Sequence, residues 1–251
     1  MAEYPILTGA EPFYFEGNDV GVLVSHGFTG TTQSMRFLGE SLAREGGFTV
    51  IGPRLTGHGT DPADMARATA EDWIRTLEAA LAELQKRCKK IFITGLSMGG
   101  TLTYYMAATY PQVFAGMIPV NGAVFLNSPD MAGLAFMRGA PLVVPGVGSD
   151  IKQPGIQELA YPVVPVPAVR QLYALMGVVN ELLPRIVCPA LVIHSREDHV
   201  VTPANGTYVL EHISSTDKEL LWLENSYHVA TLDNDKELIA RRSLEFIRKH
   251  A

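Results

Sequence analysis

Short apolar runs and amphipathic segments take turns along most of the chain. "GVLVSHG" (Gly21–Gly27), "FTVIGPRL" (Phe48–Leu55), "KIFITGL" (Lys90–Leu96), "FAGMIPVNGAV" (Phe114–Val124), "PALVIHS" (Pro189–Ser195) and "KELLWLE" (Lys218–Glu224) read as strands. A continuous apolar run such as the first suits a strand buried on both faces. "EDWIRTLEAALAELQKRC" places Trp73, Leu77, Leu81, Leu84 and Cys88 three or four residues apart. That spacing draws one apolar stripe along a helix. "MGGTLTYYMAATYP" predicts a helix stopped at Pro111, "NGTYVLEHI" another, and "DKELIARRSLEFIRKH" a closing one. Strands alternating with helices predict an α/β fold whose mostly parallel central sheet is covered on both faces.

The alternation breaks between Val124 and about Arg185, where no clear strand is legible. Six prolines fall from Pro141 to Pro167, interleaved with apolar residues in "GAPLVVPGVG" and "YPVVPVPAV". Linkers are seldom so apolar, and a structureless loop of that length is foreign to a compact domain. The expectation is one domain, residues 1–251, with a cap inserted at about 125–185 that packs over the ligand-binding edge of the sheet.

The third strand runs into Gly95-Leu96-Ser97-Met98-Gly99, a G-x-S-x-G pattern, and a helix follows. A serine on such a strand–helix turn is held in a strained conformation with its hydroxyl exposed, and its neighbours must be small. The pattern alone is weak; its strand–helix context points to a nucleophile. A structural Gly-rich turn and a phosphate-cradling loop are the plainer readings, and the lysine-bearing P-loop pattern is absent. The helix after Ser97 points its positive end at the site, so the Met98 amide is a candidate oxyanion donor. A second donor, the Phe28 amide, is expected in "HGFTG" after the first strand. His26 is assigned a loop-structuring hydrogen bond, and His58, in "PRLTGHGTDP", a structural turn.

A serine hydroxyl needs a base, and the base needs an orienting acid, in the chain order Ser, Asp or Glu, His. His228 lies in the polar loop "ENSYHVATLD" directly after the last strand, as that order requires. His194 is expected as a packed strand residue, His212 inside an amphipathic helix and His250 at a solvated terminus. "VIHSREDHVV" offers Glu197 and Asp198; Asp198 is preferred because it begins the turn into the next helix, with Glu197 the alternative. His199 is expected as a neighbour without a catalytic role.

Bulk properties narrow the field. The 251 residues are 47% hydrophobic and 18% charged, enough for a sizeable core, and the net charge of −6 argues against a nucleic-acid partner. The two cysteines, Cys88 and Cys188, suit free buried thiols and a reducing, cytoplasmic setting. The N-terminus lacks the basic and apolar regions of a signal peptide, and no apolar run is long enough to span a membrane. No metal-binding motif is present, and neither metal nor other cofactor is expected.

These stretches carry a resemblance. "HGFTG", "PRLTGHGT", "EDW" (Glu71–Trp73), "GLSMGGTL", "EDHVV" and "NSYHVATLD" resemble the bacterial monoacylglycerol lipases and the related small cytoplasmic carboxylesterases of the α/β-hydrolase fold, from about Ala10 to Phe246. "GSDIKQPGIQELAY" (Gly148–Tyr161) looks like the lipase branch. The resemblance implies a carboxylic ester hydrolase working through an acyl-enzyme, with a monoacylglycerol as substrate. It implies that Glu158 reads the substrate head group as an ionised carboxylate, and that Val147 lines the cap entrance. Residues Leu126–Pro145 match least. A general short-chain carboxylesterase or thioesterase, and a non-catalytic ligand receptor on the same scaffold, are the competing readings. The only partner implied is a small acyl ester; transient contact with lipid surfaces and a homodimer are compatible with it.

Overall fold

A computed structural model describes residues 4–146 and 148–251. In chain order the elements are β1 (Phe13–Phe15), β2 (Val20–Ser25), α1 (Gln33–Gly46), β3 (Thr49–Gly52), α2 (Pro62–Met65), α3 (Ala70–Gln85), β4 (Lys90–Leu96), α4 (Met98–Thr109) and β5 (Phe114–Val120). They continue as α5 (Pro129–Phe136), β6 (Val143–Pro145), β7 (Val163–Pro165), α6 (Val166–Leu182), β8 (Ala190–Ser195), α7 (Ala204–His212), β9 (Lys218–Leu223) and α8 (Lys236–His250).

Seven strands form the central sheet in the order β1-β3-β2-β4-β5-β8-β9. Only β1 is antiparallel, pairing Phe13 with Gly52 at the edge, and the other pairings are parallel. The central strands β2, β4, β5 and β8 are buried almost throughout, which is why they read as unbroken apolar runs. One face packs against α3, α4 and α7, the other against α1 and α8, so two hydrophobic clusters flank the sheet. The α3 stripe is buried at Trp73, Leu77, Leu81 and Leu84, and Cys88 follows it just beyond the helix end. Each such side chain contributes roughly 1.5–3 kcal/mol on burial. Thr69 and Asp72 form a reciprocal capping box that starts α3.

Two elements carry no clear sequence signal. Helix α1 buries Ser34, Gly39 and Ser41 beside Met35, Leu38 and Leu42, so its inner face is half small or polar and the apolar period is diluted. Strand β1 is three residues long and depends on β3 for its hydrogen bonds.

The segment between Val124 and Arg185 corrects the expectation of no strand. It holds α5, α6 and an antiparallel pair, β6 with β7, in register Val144 to Val164. Each of these strands is three residues long and ends in proline, and proline is tolerated only at such margins. Period-2 alternation cannot show over three residues. The segment is tied to the sheet domain by the buried Tyr161, whose hydroxyl accepts from the Thr60 amide (2.8 Å) and donates to the Gly57 carbonyl (2.9 Å). Helix α6 packs against α3 and α4. Val147, expected at the cap entrance, lies outside the described residues.

Candidate active site

The turn between β4 and α4 is where local sequence and strain meet. Ser97 sits at φ 57°, ψ −118°, outside the regions that L-residues favour, at a cost of order 1–3 kcal/mol. The surrounding backbone enforces it. A Cβ on Gly95 would stand 2.3 Å from the Gly99 carbonyl oxygen, and one on Gly99 would stand 2.4 Å from that of Ser25. Both glycines are therefore required by close backbone approach rather than by unusual dihedral angles. The Ser97 amide continues the ladder to the Val120 carbonyl at 2.9 Å, so the strand delivers the serine to the carboxyl edge of the sheet.

His228 reaches the same point from the loop after β9. Its Nε2 lies 2.8 Å from Ser97 Oγ, and its Nδ1 lies 2.8 Å from Asp198 Oδ2. Asp198 occupies the turn after β8, where its Oδ1 accepts from the amides of Val200 (2.9 Å) and Val201 (2.7 Å). One carboxylate oxygen is thus spent on holding the turn, and the other faces the imidazole. Burial raises the Asp198 carboxyl, but the charge and hydrogen bond of His228 outweigh it and leave the group below the ordinary carboxylate value. For His228, burial pulls downward, and the Asp198 charge and hydrogen bond reverse it, leaving the imidazole above its ordinary value of 6.5.

The loop that carries His228 is gripped by groups that sequence reasoning did not single out. Asn121, at the end of β5, takes a left-handed conformation (φ 47°) and is fully buried. Its Nδ2 donates to the His228 carbonyl at 2.7 Å, and its Oδ1 accepts from the Ser195 amide at 2.7 Å. The only available signal was that asparagine after a strand tolerates positive φ.

The other expected residues fall as follows. His26 accepts from the Leu55 amide through Nε2 (3.1 Å) and holds the loop beneath Phe28. His58 is buried between Gly57 and Gly59, both at positive φ, with its ring against those of His26 and Trp73. His194 is buried on β8 and its Nε2 approaches the Val201 carbonyl. Glu197, the alternative acid, points away to an exposed ion pair with Lys152. Cys88 and Cys188 are free and buried, the Cys188 thiol pushed up to about 11 by burial.

Ser97 and His228 open into a cavity of about 220 Å³ whose wall includes Phe28 and Met98. The Met98 amide belongs to the first turn of α4, where N–H groups lack helical partners. The inserted segment supplies an apolar side with Leu126, Met131, Val164 and Leu172. It also supplies Glu158, which lies on irregular chain, not on a helix. A Cβ on Gly30 would stand 2.4 Å from Glu158 Oε1, so that glycine makes room for the carboxyl group. Burial pushes Glu158 up to about 7, against the opposing pull of His228 and the Ser34 hydroxyl. Glu158 is only half-buried in the wall, where burial works against the ionised form expected of it.

A strained serine at the carboxyl edge of a mostly parallel sheet, hydrogen-bonded in series to a histidine and an aspartate from later loops, defines a class. The chain belongs to the alpha/beta hydrolase family, whose model matches residues 22–242. It is 50% identical over 249 residues to a thermostable monoacylglycerol lipase from Bacillus sp. (strain H-257), covering 99% of this chain and 98% of that one. It is 28% identical over 240 residues to a carboxylesterase from Bacillus subtilis (strain 168), covering 95% and 96%. A solved structure described with the metagenome-derived lipolytic enzymes LipS and LipT superposes with a TM-score of 0.96 at 60% identity, covering 98% of this chain and all of that one.

Proposed function

We propose that this chain is a serine hydrolase of carboxylic esters whose substrate is a monoacylglycerol, cleaved to glycerol and a free fatty acid. The observation that carries this reading is the pair of 2.8 Å contacts linking Ser97, His228 and Asp198 at the floor of a cavity with an apolar side and a carboxyl group. Ser97 Oγ attacks the ester carbonyl while His228 Nε2 takes its proton. Asp198 holds the Nδ1–H tautomer and stabilises the imidazolium. The Phe28 and Met98 amides bind the oxyanion, each worth about 3 kcal/mol in the transition state. His228 returns the proton to the departing glycerol oxygen, and the acyl chain stays on Ser97. Water, deprotonated by the same imidazole, then releases the acid.

Residues 125–185 act as a cap within the one domain, and their apolar wall takes the acyl chain. Glu158 reads the head group. Both free hydroxyls of a monoacylglycerol can donate to it when ionised, and it can donate in return when protonated. A di- or triacylglycerol offers fewer partners and more bulk, leaving the carboxyl desolvated without compensation. Among the described residues no helix is long and apolar enough to cross a membrane. Transient contact with lipid surfaces belongs to the same reading, supported by the exposed Phe136, Met137, Leu142 and Val143 of the cap. The test is a panel of mono-, di- and triacylglycerols bearing one acyl chain, with its p-nitrophenyl ester. Preference for the monoacylglycerol is expected; equal rates across the glycerides would sink the head-group assignment and leave a general esterase.

A further inference from the structure

The base is held from two sides, and one of the holding groups comes from the cap. Asp150 lies on the cap's return path. Its Oδ2 accepts from the backbone amide of His228 at 3.1 Å and from that of His199 at 3.3 Å. Its Oδ1 is 2.8 Å from His199 Nδ1, and its carbonyl accepts from the Val229 amide at 3.0 Å. His228 therefore has its N–H on Asp150 and its carbonyl on Asn121, 2.7 Å away. His199 is the residue after Asp198, so the same carboxylate touches the chain at both the acid and the base.

Asp150 is itself fixed. Two and three residues further on, the amides of Lys152 (2.7 Å) and Gln153 (2.9 Å) donate to Asp233, a fully buried carboxylate that also accepts from the Tyr227 amide at 2.8 Å. The cap segment 150–153 and the loop 227–233 are thus stitched together by carboxylate-to-amide bonds in both directions. Gly148 and Gly155 bracket the stitched segment at φ 78° and 80°, with open space where a Cβ would be. The Asp150 side chain is 16% exposed, so its charge is poorly screened by water.

We propose that Asp150 is a positioning residue for the hydrolysis: it fixes the backbone of His228 from the cap side and adds a second negative charge near the imidazolium beside that of Asp198. This rests on the hydrolase reading above. Charge that develops on the imidazole in the transition state is favoured by preorganised carboxylates, and a second one adds to the effect of the first. The charged and titratable groups around His228 are Asp198 on its Nδ1, Asp150 at its amide, Glu158 on the cavity wall and His194 on β8, with His199 bound to Asp150. Two nearby groups carry or can carry positive charge: Lys152, over the Tyr227 ring and paired with Glu197, and His199, whose imidazole its bond to Asp150 holds above the ordinary value. Asp150 is among the groups that raise the His228 imidazole, and its removal lets that imidazole fall.

The experiment compares the full-length protein with Asp150→Asn and Asp150→Ala, using the p-nitrophenyl ester, which has no head group to read. Asp150→Asn keeps one acceptor for the His228 amide and loses the charge; Asp150→Ala loses both. The expected kcat falls by about threefold to tenfold in Asp150→Asn and by about 30-fold or more in Asp150→Ala, with KM within about twofold. In both variants the acid limb of the kcat/KM profile moves to lower pH, by about 0.5. If Asp150→Ala unfolds, Asp150→Asn alone carries the test. A wild-type kcat and acid limb in Asp150→Asn overturn the proposal. So does a lowered Tm and kcat with an unmoved acid limb, which is what a purely structural anchor gives. Failure of the hydrolase reading looks different: wild-type protein without ester hydrolysis, or hydrolysis that survives in Ser97→Ala.

Discussion

The cavity has two walls of different construction. On the sheet wall, Ser97, Asp198 and His228 hang from the ends of β4, β8 and β9, and the strain at Ser97 is enforced by backbone packed within 2.4 Å of where a glycine Cβ would stand. On the cap wall, Glu158 sits on irregular chain between Gly155, at positive φ, and the three-residue strand β7, tied down by scattered hydrogen bonds. The first wall is over-determined and suits chemistry that needs sub-ångström geometry. The second is lightly constrained and suits selectivity, which is a difference between two modest energies. The two meet at His228, whose imidazole belongs to one wall and whose amide is held by the other.

The comparison predicts a gradient of effects. The largest belongs to Ser97→Ala. Hydrolysis of every ester is expected to fall by about 10⁵-fold or more with unchanged thermal stability, since no acyl-enzyme forms. A fluorophosphonate probe should label the wild type stoichiometrically and the variant not at all; labelling of the variant would place the nucleophile elsewhere.

Next stands the acid. Asp198→Asn disrupts the Nδ1–H tautomer of His228 and is expected to lower kcat by about 10⁴-fold. Glu197→Gln, whose partner is the exposed Lys152, is expected to stay within about twofold. Comparable losses in the two variants would move the acid off Asp198.

The cap wall should respond selectively. Glu158→Gln is expected to lower kcat/KM for a monoacylglycerol by about tenfold or more, on the order of 1–3 kcal/mol. The p-nitrophenyl ester should change by less than about twofold. The ratio of the two losses is the measurement, and a ratio near one would make both walls parts of a single structural unit.

The smallest effect is a displacement of the pH profile. In the proposed mechanism His228 must be neutral to accept the Ser97 proton, and its imidazole is held above its ordinary value of 6.5 in the folded site. Acylation by the p-nitrophenyl ester should therefore fall with acid through one ionisation centred above 6.5. A limb at or below that value would mean that burial, not Asp198, governs the imidazole.

Legibility in the sequence follows the same division. Strand β4 coincides with its run, Lys90–Leu96, because a strand buried on both faces is apolar at nearly every inner position, Thr94 excepted. Helix α3 coincides with its stripe because one face meets one core. Ser97 was legible because close backbone approach admits only glycine at positions 95 and 99, and Asp198 and His228 because the loops after β8 and β9 lie at the same edge of the sheet. Helix α1 escaped because its buried face includes Ser34, Gly39 and Ser41. The pair β6–β7 escaped because three residues carry no period.

By itself, the sequence determined the alternating elements, the strained serine and the chain order of its partners. All of these rest on local chemistry: burial on two faces, the absence of Cβ atoms, and turn residues at strand ends. Only the tertiary structure decided that Glu158 stands half-buried in the cavity wall, where burial works against its charged form, and that Asn121 and Asp150 grip the two sides of the His228 peptide. Those facts arise from groups more than 70 positions apart in the chain, as His228 is from Asp150 and Asn121. A carboxylate's surroundings set its charge, and an amide's partner is whatever the fold places within reach.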